Sequence, residues 1–223
     1  SLTLAVALNE LKRFYPSHYT VKAVSVDLGF KNINYDAESV VIPDVVRVGS
    51  EDYLVTTIFD YAFIDNLFAS IKISHNVNYI SSYAFYNCYK LKKVEFPDDS
   101  SLTSIGNSAF ANCSQLKDFA LPNTISGIGD DAFNSCTSLE AIVIPENLYF
   151  IGSHCFDDCT SLRTVDVSGY HQGNDIAICN VSPFTVVPSS SLTFIYSKDV
   201  SVDDYIIRNW PSPVDNLIIW QAI

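Results

Sequence analysis

Residue types able to do chemistry are present in this 223-residue chain, but their spacing assembles no reaction. Four histidines stand at 18, 75, 154 and 171 with no shared local frame. The chain has no Walker loop to cradle phosphate and no G-x-S-x-G elbow to present a nucleophile. It also lacks an H-E-x-x-H zinc helix and an EF-hand loop. Zinc would need paired ligands. No Cys-x-x-Cys exists among the six cysteines, and Cys155 and Cys159 lack a second pair at ligand spacing. Paired acids at Asp98-Asp99, Asp130-Asp131, Asp157-Asp158 and Asp203-Asp204 fall in turns or first helical turns, where carboxylates serve as caps. They do not repeat at the spacing calcium ligation requires. The expectation is no catalysis, no cofactor and no metal.

Charge narrows the partners. With 13 basic and 25 acidic residues the net charge is −12, and phosphate binding needs clustered Lys and Arg. Nucleic acid and anionic membrane are therefore poor partners. No apolar run approaches the roughly 18 residues of a spanning helix. Leu2 to Leu8 lacks both a basic flank and a cleavage site, so an export signal or anchor is expected outside this sequence.

The cysteines instead reveal how the chain is organised. From Leu102 to Val167 it reads LTSIGNSAFANCSQLKDFALP, ISGIGDDAFNSCTSLEAIVIP and LYFIGSHCFDDCTSLRTVDVS. Ala62-Phe63, Ala84-Phe85, Ala109-Phe110, Ala132-Phe133 and Cys155-Phe156 align. The phenylalanines step by 22, 25, 23 and 23 residues. Cys88, Cys113, Cys136 and Cys159 follow at x-x-Cys, with Asn66 in the first copy. A fixed period of this length marks a solenoid. Stacked in it, the cysteines form a core ladder and are read as free thiols, behaving as small buried hydrophobes.

One coil can be derived from its spacing. Ile71-Lys72-Ile73, Val94-Glu95-Phe96, Phe119-Ala120-Leu121, Ile142-Val143-Ile144 and Val165-Asp166-Val167 alternate as short strands with apolar residues inward. Val77/Ile80, Leu102/Ile105, Ile125/Ile128 and Leu148/Ile151 supply a second inward pair. Gly106, Gly129 and Gly152 are expected to allow a sharp bend into a helical or 3₁₀ turn that carries Phe and Cys inward. Stacking makes such coils stable. Ahead of them, Val40 to Pro43, Val45 to Val48 and Tyr53 to Ile58 read as strands with a turn at Gly49 to Asp52. A short helix is expected over Leu4 to Phe14, or a strand at Thr3 to Ala7, then a strand at Tyr19 to Val26. After Ser168 the period decays. Strands are expected at Ile176 to Cys179, Leu192 to Tyr196 and Leu217 to Trp220, a worn Ala-Phe at Pro183-Phe184, and a helix from Ser201 to Asn209.

The pattern L-x-x-[IV]-x-[IL]-P followed by [LIV]-x-x-I-G-x-x-A-F-x-x-C closely resembles the BspA-like subclass of leucine-rich repeats. The likeness covers about Ile58 to Ser168, departing at Phe59 and Ser81 where Gly is usual and at Cys155 for Ala. It implies a right-handed leucine-rich-repeat solenoid, β-rich α/β, with a ladder of short parallel strands, short helical turns and caps at both ends. The expected layout, all one structural domain, is an N-terminal cap over 1–57, five repeats over 58–168, and a degenerate repeat with C-terminal cap over 169–223. The resemblance further implies a bacterial cell-surface or secreted binding module, monomeric and without catalysis. Its expected partners are extracellular proteins, including host matrix proteins. A structural spacer presenting other surface domains is the alternative.

Two surfaces are candidates for protein binding. The outward face of the strand ladder offers Lys72, Lys93, Glu95, Asp118, Thr164 and Asp166, a charge mixture suited to protein contact, or to a solvated sheet face. Tyr61, Tyr79, Tyr83, Tyr86 and Tyr89 form the second, at outward or turn positions of the first coils. Tyrosine is enriched in interfaces. Packing against residues 1–40 is the other use open to this cluster.

Overall fold

Alternation assigns Ile71, Val94, Phe119, Ile142 and Val165 to the inner side of their strands, and all five are buried. The computed structural model describes residues 39–48, 50–169, 177–178, 192–197 and 218–222. The strands leading into the stack are β1 (Ser39–Val41), β2 (Val45–Val48), β3 (Glu51–Leu54) and β4 (Thr57–Ile58). Then come β5 (Ser70–Lys72), β6 (Tyr79–Ile80), β7 (Lys93–Glu95), β8 (Ser104–Ile105), β9 (Asp118–Phe119) and β10 (Gly127–Ile128). The series closes with β11 (Ala141–Val143), β12 (Phe150–Ile151), β13 (Thr164–Asp166), β14 (Ala177–Ile178), β15 (Leu192–Tyr196) and β16 (Ile218–Ala222). The leucine-rich-repeat type of solenoid expected from the sequence is the observed architecture.

One side is a parallel ladder in two sheets, ordered β1-β5-β7-β9 and β11-β13-β15-β16. Its register aligns repeat positions, Ser70 with Lys93 and Lys93 with Asp118. The division falls beside Phe119, whose ring reaches Phe110 and Phe133 edge-on at 5.0 and 4.7 Å. The second inward pairs stand in and beside a ladder of their own, ordered β4-β6-β8-β10-β12-β14. Strands of two residues are too short to show alternation, so the sequence displays only their inward isoleucines. At the start, β2 and β3 form an antiparallel hairpin with Val48 opposite Glu51, so pairing already occupies part of the turn expected at Gly49 to Asp52, and the strand expected over Tyr53 to Ile58 is divided between β3 and β4.

The third side differs from the helical or 3₁₀ turn expected. It consists of consecutive tight turns, such as Ala84 N to Ser81 O at 3.3 Å and Cys88 N to Phe85 O at 3.2 Å. Two residues per coil adopt positive φ, including Tyr83 and Asn87, Ser108 and Asn112, and Asp131 and Ser135. A left-handed third residue is what a type II turn requires. Asp and Asn tolerate it best among non-glycines, which gives Asp131 and Asp158 a role beyond capping. Tyr61 and Tyr83 keep positive φ although Phe59 and Ser81 replace the usual Gly, so the turn shape survives those departures.

Gly106 and Gly129 serve a different end from the bend expected of them. A Cβ on Gly106 would stand 2.6 Å from Ser82 N, and one on Gly129 2.7 Å from Asn107 N. These glycines let one coil's backbone lie against the next. Beside them Asn107 Oδ1 accepts from Asp130 N at 3.0 Å, and Asp130 Oδ1 accepts from Ser153 N at 2.8 Å.

Inside, Phe63, Phe85, Phe110, Phe133 and Phe156 stack face to face with centroids 5.1, 4.9, 5.5 and 5.4 Å apart. Each of the four cysteines at the repeat position donates its thiol to the carbonyl of the preceding coil's phenylalanine. Cys88 Sγ reaches Phe63 O at 3.0 Å; Cys113, Cys136 and Cys159 reach Phe85, Phe110 and Phe133 at 3.2 Å. Cys88, Cys113, Cys136, Cys155 and Cys159 are free and buried. The expected elements over 1–26, the worn Ala-Phe at Pro183-Phe184 and the Ser201 to Asn209 helix lie outside the described residues.

Candidate interaction faces

On the ladder, alternation turns Lys72, Lys93 and Glu95 outward, and all three are exposed. Lys93 Nζ lies 2.9 Å from Glu95 Oε1. That hydrogen bond, with the charges of Lys93 and Lys72, holds the Glu95 carboxyl below its usual range. Asp118 occupies the Lys93 register on β9. Thr164 and Asp166 are half-buried further along, and Asp166 Oδ1 accepts from Ser168 N at 2.8 Å. Val143, opposite Asp166 on β11, stands 57% exposed, and Val41, opposite Lys72 on β1, 61%, so apolar spots interrupt the polar row. The six ladder candidates therefore share one side of the stack.

The tyrosines are not one cluster. Tyr61 and Tyr83 stack at 5.2 Å and Tyr86 meets Tyr83 edge-on at 5.6 Å, all on the turn side. Tyr79 lies on β6 in the second ladder, and Tyr89 sits in the turn ahead of β7. Neither joins those ring contacts. The alternative use, packing against residues 1–40, concerns a segment mostly outside the described residues.

A further column escaped the sequence reading. Lys92, Lys117, Glu140 and Arg163 occupy the position just before the strands and are exposed. Lys117 Nζ and Glu140 Oε1 lie 3.0 Å apart across the ladder's division. Strand alternation assigns this position inward, which hid it; its recurrence at the repeat period was the available signal. A second unexpected pair is His154 Nδ1 and Asp157 Oδ2 at 2.6 Å, with Asp157 buried. Burial pushes the Cys113, Cys136 and Cys155 thiols well up, and that of Cys159 from 9.0 to about 12, which suppresses the nucleophilic thiolate. Among the described residues no His, Cys, Asp and Glu group gathers as a metal site would, and no helix could cross a membrane.

These coils repeat a pattern that can be compared directly with other proteins. Residues 56–175, more than half of the chain, match the BspA type leucine-rich repeat region in 6 copies. The chain belongs to this family. A comparison of this BspA-type chain with curated proteins finds no match. Among solved structures, a leucine-rich cell surface protein from Faecalibacterium prausnitzii A2-165 is 29% identical with a TM-score of 0.58. The likeness covers 74% of this chain and 45% of that one. A leucine-rich repeat protein of T. pallidum is 31% identical over 59% of each chain, with a TM-score of 0.54. A pneumococcal vaccine antigen shares the fold at 21% identity, a TM-score of 0.57, and coverage of 70% and 42%. The BspA-type chain spans about half the length of these structures.

Proposed function

We propose that this chain is a non-catalytic protein-binding module of a cell-surface or secreted protein, serving adhesion to host or neighbouring-cell proteins. One observation carries the reading. The recurring Phe, Cys and Gly positions are spent on stacking coil on coil, while outward ladder positions change from coil to coil: Lys72, Glu95, Val143 and Asp166 on one row. A regular scaffold with a variable outer face is the form in which solenoids present binding surfaces. Its likeness to a protein described as a cell surface protein supports the location. In this reading the β2–β3 hairpin and the last strands cap the two ends of the stack.

Binding of the purified chain to a panel of extracellular-matrix and microbial surface proteins tests this. Saturable binding that is lost in Lys93→Ala with Glu95→Ala, and kept in Tyr83→Ala with Tyr86→Ala, is the expected result. Circular dichroism should show both variants folded. An absence of binding to every panel member would favour a spacer that presents other domains.

A further inference from the structure

Although the chain is acidic overall, most of the positive charge among the described residues is gathered on one side. Seven Lys or Arg residues are described, and Arg47 on the hairpin is engaged by Asp52 at 2.7 Å. The other six, Lys72, Lys90, Lys92, Lys93, Lys117 and Arg163, lie on the strand ladder or just before its strands. The turn side carries Asp60, Asp65, Asp130, Asp131, Asp157 and Asp158 and, among the described residues, no Lys or Arg. The ladder side is therefore mixed in charge, and the turn side, among the described residues, purely acidic.

The cations are not equivalent. Lys93 is paired with Glu95 and Lys117 with Glu140. The Arg163 guanidinium donates to the Thr160 and Leu162 carbonyls at 3.1 and 3.0 Å. Lys72 acts on Glu95. Lys90 and Lys92 are exposed, and neither has an ion pair among the described residues. They stand close together in the chain just ahead of β7, with Lys93 following.

We infer that the ladder edge at Lys90 and Lys92 docks an acidic segment of a partner protein. This rests on the protein-binding reading and names the chemistry of the partner. A uniform polyanion fits less well, because Glu95, Glu140 and Asp166 interrupt the cations and would repel it. A peptide that alternates acidic with apolar residues offers carboxylates to the lysines and apolar side chains to the exposed valines of the same ladder, Val41 and Val143. Opposed charges of this kind steer encounter and select the partner.

The test is fluorescence anisotropy with a labelled peptide alternating glutamate and valine, its counterpart with lysine for glutamate, and heparin. The glutamate peptide should bind, the lysine peptide should not, and added salt should weaken the complex. Lys90→Glu with Lys92→Glu should weaken binding about tenfold or more, and Asp158→Asn on the turn side should leave it unchanged. Glutamate-peptide binding that ignores the double reversal would overturn the inference. So would its absence, or heparin binding more tightly through the same lysines. A panel protein that binds through Lys93 and Glu95 yet ignores the Lys90 and Lys92 reversal would keep the protein-binding reading and overturn this one. An acidic peptide bound where no panel protein is would do the reverse.

Discussion

Gly106 shows how far single residues in this chain are fixed by their neighbours across coils. The first contact a Cβ there would meet is the backbone of Ser81 and Ser82, at 2.8 and 2.6 Å, and backbone cannot rotate away. Gly106→Ala should therefore cost about 3 kcal/mol, the upper part of the range for forced overpacking. Thermal unfolding measures it; an unchanged midpoint would mean that the coils can part freely. The thiols make a second case. Burial raises Cys159 from 9.0 to about 12 and pushes Cys113, Cys136 and Cys155 well up. Between the unfolded and folded values the folded chain keeps protons that the unfolded chain loses. Stability is thus intact below about pH 9 and falls as pH rises through the folded values, by about 1.4 kcal/mol per pH unit for each thiol. Unfolding midpoints from about pH 8 to about pH 11 should drop less steeply in Cys159→Ala than in the parent. Parallel slopes would contradict the burial argument.

At the level of the elements, the phenylalanine column is the main apolar contact between coils. Phe110 is fully buried and stacks between Phe85 and Phe133 at 4.9 and 5.5 Å. Phe110→Ala should lose about 3–5 kcal/mol, read by denaturant titration. Asp130→Ala removes the acceptor of Ser153 N and should cost about 1 kcal/mol. A larger loss than Phe110→Ala would invert the order of importance argued here. The column was legible in the sequence because Phe and Cys recur at one period, and the first ladder because Ile71, Val94 and Val165 alternate with polar residues. The second ladder was not, since Tyr79–Ile80 and its equivalents are too short to alternate. The turn side was misread for a local reason. Its left-handed positions hold Tyr, Ser, Asp, Asn and His, not Gly, while the nearby Gly residues serve close approach. The ladder candidates stand on the strands of one ladder, but the tyrosines divide among three places, because a repeat position says nothing of which side its turn presents.

Among the described residues, the molecule is a stack with one strand face of mixed charge and one acidic turn face. Stacking uses the recurring residues, so differences in recognition must lie in the outward ones. Carbodiimide footprinting distinguishes the two faces most directly. The chain would be labelled alone and when saturated with a panel protein that it binds, and the modified carboxylates located by mass spectrometry. Protection of Glu95, Glu140 and Asp166 on the ladder, with Asp65 and Asp158 on the turn side still labelled, is the expected result. Protection confined to Asp65 and Asp158 would contradict the assignment of the ladder as the binding face.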